Sequence, residues 1–247
     1  MTATADQGHR ARRFFVTPGG LAADPIVLGP RESRHVATVL RLRTGATVTL
    51  FDGRAEADAV LDAVTEHRVT ARRLGELRTT PRLADLTLIQ GVPRGNKMDD
   101  IVRMGTELGL AAILPARTDR TVADPAEHRV ERWRRITQEA AKQCGRADLP
   151  EVAAVRPLDE ILADLAPADL FIVPWERAVQ SIGSVASRVP FVTATILIGP
   201  EGGLAEREVA AAGAVGGHPV SLGPLLLRTE TAGAVAAAML LYERMPR

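Results

Sequence analysis

Short apolar runs with strand-like spacing fill the first 75 residues. Segments 13–16, 26–28, 47–51, 57–64 and 67–74 are rich in Val, Thr, Leu and Phe and read as strands. Asp52-Gly53 between two of them predicts a hairpin. One helical segment interrupts the strands: Pro30-Arg31-Glu32-Ser33 leads into 35–42, where Val36, Val39 and Leu40 are spaced onto a single face. Several short strands closing on one helix predict a small β-barrel. From about 75 to 84 the pattern lapses into a polar stretch containing Thr79-Thr80-Pro81. That break predicts two domains, residues 1–76 and 84–247.

Beyond Asp85 the rhythm changes. Strand patterns at 86–91, 111–114, 151–155, 170–173, 191–198 and 219–222 alternate with helical ones at 97–108, 125–145, 158–165, 178–188, 205–212 and 229–244. Such alternation predicts a mostly parallel α/β sheet. Ligands of these sheets sit beyond the carboxyl ends of the strands. The segments after Gly91, Val173, Ile198 and Leu222 are therefore where chemistry is expected.

Composition narrows the function classes. Apolar residues make up 46% of the 247 and the mean hydropathy is +0.02, which excludes wholesale disorder. Only eight residues are aromatic, too few for RNA recognition built mainly on ring stacking. The single cysteine, Cys144, excludes an intramolecular disulfide, and His9, His35, His67, His128 and His218 are scattered, so no metal is expected. The polar N-terminal segment lacks a signal-peptide core and the longest apolar stretch, 236–242, is far below a bilayer span. A soluble cytoplasmic protein without a membrane partner is the expectation. Charge is uneven: residues 1–150 hold 24 Lys and Arg against 19 Asp and Glu, whereas 151–247 hold 7 against 11. A basic bias in the first part suits a polyanionic partner or ordinary surface scatter equally well.

Three runs stand out. Gly91-Val92-Pro93-Arg94-Gly95-Asn96-Lys97-Met98 follows a strand and opens a helix, yet it is not a P-loop. The spacing is short by one, Asn96 separates Gly95 from Lys97, and no Ser or Thr follows to hold Mg²⁺. Arg94 and Lys97 read as a basic loop able to meet RNA phosphate, or as two solvated cations. Leu197-Ile198-Gly199-Pro200-Glu201-Gly202-Gly203-Leu204 is a buried strand entering a tight turn whose glycines let backbone approach a ligand. A Val at Gly202 is expected to obstruct it. The G-x-G-x-x-G spacing is missing, which disfavours a dinucleotide site. In Ser221-Leu222-Gly223-Pro224-Leu225-Leu226-Leu227-Arg228-Thr229-Glu230-Thr231-Ala232, Thr229 is placed to cap the last helix and Glu230 to sit in its first turn. Capping leaves Arg228 unexplained.

The last two runs, about twenty residues apart, closely resemble the SPOUT-class 16S ribosomal RNA uracil-N3 methyltransferases, the RsmE family. His35-Val36-Ala37-Thr38-Val39-Leu40-Arg41 with Phe51-Asp52-Gly53 resembles the family's PUA-like barrel. Arg94-Gly95-Asn96-Lys97-Met98 with Glu107-Leu108-Gly109 resembles its first α/β segment, and Lys142-Gln143-Cys144-Gly145-Arg146 the end of its long helix. Asn96 departs from the pattern, standing where an acidic residue is common. The likeness spans residues 13–245.

This resemblance implies an N-terminal PUA-like RNA-binding barrel and a C-terminal SPOUT α/β domain with a trefoil knot. It implies S-adenosyl-L-methionine bent among three loops: Val173 and Pro174; Leu197, Gly199, Pro200, Glu201 and Gly202; and Ser221, Leu222, Gly223, Leu225 and Leu227, with Leu222, Leu225 and Leu227 walling the adenine. It implies a homodimer acting on 16S rRNA of the small ribosomal subunit, held by Arg34, Arg41, Arg94, Lys97 and Arg146. Arg228 is then the donor that stabilises charge on the uracil, and Glu230 a base or orienting group. The alternatives are a SPOUT enzyme modifying another RNA, such as a ribose 2′-OH, and a non-catalytic RNA-binding assembly protein.

Overall fold

The computed structural model describes residues 12–122 and 127–245. It divides into two compact units: the described residues up to Thr80 with Ala141–Leu149, and those of Pro81–Ala140 and Pro150–Arg247.

In the first unit, strands β1 (Arg13–Phe15), β2 (Ile26–Val27), β3 (Thr47–Phe51), β4 (Glu56–Val64) and β5 (Val69–Arg78) form one sheet in the order β1-β3-β4-β5-β2. The β1–β3 pair is parallel and the others are antiparallel. The predicted hairpin joins β3 to β4, with Phe51 opposite Glu56 and Gly53 at φ +88°. Phe14, Ile26, Val36, Leu50 and Leu61 alternate onto the inner face and form this unit's core. Helix α1 (Pro30–Arg34) is followed by a π turn over His35–Val39, in which Leu40 N–H donates to His35 C=O at 2.9 Å. The i→i+5 bond adds a residue to the turn. The predicted single face is thereby broken: Val36 is buried but Val39 is 68% exposed.

The segment Ala141–Leu149 is held to this unit by polar contacts that no hydrophobic pattern reveals. Lys142 pairs with Glu32, both side chains largely buried, and Arg13 donates to Arg146 C=O at 2.8 Å. Ala147 N–H donates to Thr80 Oγ1 at 2.7 Å, and Leu149 N–H to Gly53 C=O at 3.1 Å.

In the second unit, β6 (Asp85–Gly91), β7 (Ala112–Arg117), β8 (Glu151–Val152), β9 (Arg156–Pro157), β10 (Leu170–Pro174), β11 (Thr193–Ile198) and β12 (Gly217–Val220) form a sheet ordered β12-β10-β11-β6-β7-β8, with β9 also paired to β7. Every pairing is parallel. Helices α2 (Lys97–Glu107), α3 (Glu127–Cys144), α4 (Leu158–Ala163), α5 (Ile182–Ala186), α6 (Glu206–Ala214) and α7 (Thr229–Arg244) supply its cover. The expected start of the long helix at 125 lies outside the described residues.

Strand parity sorts the core into two layers. Leu86, Leu88, Ile172 and Ile196 pack with Ile101, Trp133, Val185 and Leu240 of α2, α3, α5 and α7. Ile89, Phe171, Val173 and Leu197 pack with Leu158, Ile161 and Val209 of α4 and α6 on the other face. A sheet buried on both faces explains why its strands read as near-continuous apolar runs. Among the described residues no helix is long and apolar enough to cross a membrane.

Candidate active site

Because β12, β10, β11 and β6 are neighbours, their carboxyl ends lie side by side. The segments leaving β10, β11 and β12 meet α2 and α7 there and enclose a cleft of about 610 Å³. This is within the range of small-molecule sites, and so is its lining of apolar side chains with a few placed polar groups.

The turn after β11 is closed by Gly203 N–H donating to Pro200 C=O at 2.9 Å, with Gly203 at φ +73°. A Cβ on Gly199 would lie 2.6 Å from the Gly203 carbonyl carbon and 2.8 Å from Leu204 N. One on Gly91 would lie 2.6 Å from Pro200 Cδ. Neither position admits a side chain. Gly202 is less crowded: its Cβ would meet Arg120 at 3.1 Å, at that residue's own Cβ and its Cδ, a contact that a shift of a few tenths of an ångström relieves. Gly202, expected to guard this turn, stands beside a tighter position, Gly199. In the loop after β12, Ser221 N–H donates to Gln180 C=O at 2.8 Å, and Ser221 Oγ accepts from Gly223 N–H at 3.2 Å.

Lys97, Glu201, Glu230 and Arg228 stand together in the cleft. Lys97 Nζ is 2.7 Å from Glu201 Oε1 and 3.8 Å from Glu230 Oε2. Glu201 also accepts from the Arg94 N–H, at 3.1 and 3.3 Å to its two oxygens. Partial burial alone would raise the Glu201 carboxyl. The Lys97 ammonium and the N–H groups of Glu201 and Arg94 outweigh it and hold the group below its ordinary value. Glu230 is mostly buried and its Oε2 accepts no hydrogen bond. Arg228 is the N-cap residue of α7, but its side chain caps nothing; it lies 85% exposed, 3.9 Å from Glu230.

Most of the residues singled out by sequence converge on this cleft: Pro174, Gly199, Pro200, Glu201 and Gly202 from two segments, and Ser221, Leu222, Gly223, Leu225, Leu227, Arg228 and Glu230 from the third. Leu225 is nonetheless 79% exposed. Val173 and Leu197 do not line it; strand parity turns both into the core on the α4 and α6 face. Lys97, expected at phosphate, instead directs its ammonium to Glu201 and Glu230, because the first turn of α2 faces the cleft. Arg146 is 4% exposed and forms a two-point pair with Asp148, at 3.0 and 2.7 Å, so its expected place on an RNA surface is corrected to a buried anchor in the first unit. Arg34 and Arg41 are exposed on the first unit, Arg41 at φ +52°, and Arg94 is exposed on the second.

Sequence reasoning missed three contributors. Trp175 and Glu176 line the cleft after β10, and Arg120 donates to Gly202 C=O. Thr229 does not cap α7: it is the first helical residue, and its hydroxyl donates to Gly199 C=O at 2.7 Å while accepting from Gln90 Nε2 at 3.0 Å. Gln90 carried a legible signal, a polar residue at the parity that places Leu86 and Leu88 in the core. Among the described residues, no three His, Cys, Asp or Glu side chains converge as a metal-binding group.

Residues 80–241 match the family model described as an RNA methyltransferase domain. The chain is 32% identical to ribosomal RNA small subunit methyltransferase E of Synechocystis sp., over 93% of this chain and 77% of that protein. To the protein of that name from Bacillus subtilis it is 30% identical, over 86% and 88%. The crystal structure of a ribosomal RNA small subunit methyltransferase E from Neisseria gonorrhoeae bound to S-adenosyl methionine superposes with a TM-score of 0.83, at 31% identity over 93% of this chain and 96% of that one.

Proposed function

Since the chain belongs to the RNA methyltransferase family, within the ribosomal RNA small subunit methyltransferase E group, we propose that it transfers the methyl group of S-adenosyl-L-methionine to N3 of a uridine in 16S rRNA. The carrying observation is the meeting of the Gly199–Gly203 turn, the 221–228 loop, Arg228 and Glu230 at adjacent carboxyl ends of one parallel sheet. The cleft fits the cofactor: Gly91 and Gly199 let the turn after β11 pack closely on the end of β6 and on itself, and Pro174, Leu222 and Leu227 give apolar walls beside Glu201 and Ser221. When bound, S-adenosylmethionine supplies an electrophilic sulfonium methyl. The chain supplies alignment and a competent nucleophile.

Uracil N3 must lose its proton before it attacks. Glu230 lines the cleft beside Arg228; its carboxylate takes that proton. Arg228 places planar, permanently charged donors against a uracil oxygen as negative charge grows there. Lys97 holds Glu201 and stands beside Glu230, keeping both carboxylates in place.

The finer family features belong to this reading. The five-stranded first unit is taken as a PUA-like barrel, and the loops after β11 and β12 as parts of a trefoil knot. Arg34, Arg41 and Arg94 meet RNA phosphate, the assembly is a homodimer, and the substrate is the small ribosomal subunit in the cytoplasm. The test is transfer of labelled methyl to small subunits lacking the modification, followed by nucleoside analysis. Label on uridine N3 is the expected result. Label on a ribose oxygen supports another RNA target, and no transfer with RNA binding retained refutes the enzymatic reading.

A further inference from the structure

Directly behind the cleft, Gln90, the last residue but one of β6, has its side chain fully buried. Its Nε2 donates to Gly91 C=O and to Thr229 Oγ1, each at 3.0 Å, and Thr229 Oγ1 in turn donates to Gly199 C=O at 2.7 Å. We propose that Gln90 is a positioning residue for methyl transfer, which fixes the Gly199 turn against the Arg228–Glu230 start of α7 through the Thr229 hydroxyl.

The direction of this relay follows from donor counting. The Gly199 and Gly91 carbonyls can only accept, so the one hydroxyl proton of Thr229 goes to Gly199 and both amide protons of Gln90 go to Gly91 and Thr229. The amide oxygen is left over. Gln90 Oε1 is buried and accepts no hydrogen bond from any described residue; on that side stand Leu88 and the bare Cα of Gly233. A buried carbonyl without a donor lowers stability, and an apolar side chain of the same length removes that penalty. A residue kept for packing alone would not be an amide here. What the amide gains is a fixed distance between two segments, one carrying the cofactor turn and the other carrying Arg228 and Glu230. Neither Gln90 nor Thr229 carries a group into the chemistry, so their effect runs through Gly199, Arg228 and Glu230.

The inference rests on the methyl-transfer reading, and its experiment separates the two. Gln90→Met keeps length and volume and removes both donors and the orphaned oxygen. Its melting temperature should stay within about 2 °C of wild type or rise, while single-turnover methyl transfer at saturating cofactor and RNA falls at least tenfold and the KM for RNA stays unchanged. Thr229→Val should act in the same direction, Thr229→Ser should recover transfer to within about threefold of wild type, and the Gln90→Met/Thr229→Val pair should be no slower than the worse single variant, since both break one relay. Calorimetry with S-adenosylmethionine gives a second readout that needs no RNA. A fall in transfer or in cofactor affinity with the melting temperature kept sustains the assignment. Wild-type values of both in Gln90→Met, or losses that track a lower melting temperature, overturn it. A wild-type protein that methylates another atom refutes the uridine-N3 reading and leaves this comparison intact.

Discussion

Replacing Gly199 by Ala tests whether the cleft is built by backbone packing. The new Cβ would sit 2.6 Å from the Gly203 carbonyl carbon and 2.8 Å from Leu204 N, where ordinary contact begins at 3.4 Å. The turn must therefore open by about 0.8 Å. It cannot do so freely, because Gly203 is bonded to Pro200 and the Leu204 side chain is buried in the core. Overpacking of this kind costs about 1–3 kcal/mol, which at ~2–4 °C per kcal/mol lowers the melting temperature by roughly 2–12 °C. Misplacement by about 1 Å at a reacting centre can cost ~10²-fold in rate. Thermal melts, S-adenosylmethionine calorimetry and methyl transfer on Gly199→Ala should show all three losses. Gly202→Ala is the milder comparison, since its Cβ would meet Arg120 at 3.1 Å where that of Gly199 meets backbone at 2.6 Å, and its losses should be smaller. Wild-type cofactor affinity in Gly199→Ala, or equal damage in both variants, would refute this account of the turn.

Four further outcomes are expected. Arg228→Ala should lower single-turnover transfer by ~10²–10³ with cofactor affinity kept, as for loss of one preorganised donor, and Arg228→Lys should restore little because an ammonium lacks the planar fork. Substituting Arg34, Arg41 or Arg94 by Ala should each reduce the salt dependence of RNA binding by about 0.7–0.9 in log–log slope; Arg146→Ala should instead lower stability by about 3–5 kcal/mol, read in denaturant titrations, by breaking its buried pair with Asp148. Because the Glu201 carboxyl is held below its ordinary value, its pairing with Lys97 contributes in full above the unfolded carboxyl's value of about 4.3 and is lost only as pH falls through the lower folded value. Cofactor affinity measured by calorimetry should therefore hold at pH 5, and a loss already complete there would contradict this assignment.

The strands and the last helix were legible because their periods are unbroken: 47–51 and 229–244 match β3 and α7 residue for residue. Val39 was misplaced by the π turn, whose extra residue shifts the face by more than a quarter of a turn and leaves no mark in composition. The return of Ala141–Leu149 to the first unit rests on Lys142–Glu32 and Arg13–Arg146 contacts between residues far apart in sequence, which spacing cannot pair. Glycine and proline density marked both cleft-lining runs. It could not show that Gly199 is packed more tightly than Gly202, because that depends on which atoms stand opposite.

Charge assignment failed for the same reason, and the failure shows how the cleft works. Arg94 and Lys97 look alike as cations at a helix start, yet the structure separates them: Arg94 contributes its N–H to Glu201 and leaves its side chain exposed, while Lys97 turns its ammonium inward. Lys97 and Glu201 are therefore a fixed pair, closed at 2.7 Å and braced by a backbone donor. Arg228 and Glu230 are a loose one, at 3.9 Å with the guanidinium largely in solvent. An exposed pair of that kind is worth less than about 1 kcal/mol. In the proposed transfer Arg228 leaves Glu230 for a substrate oxygen at little cost, while Glu230 stays beside Lys97. On the proposed reading the fixed pair holds the loops and the loose pair serves the transfer; the position of the two pairs, not their number, divides the work.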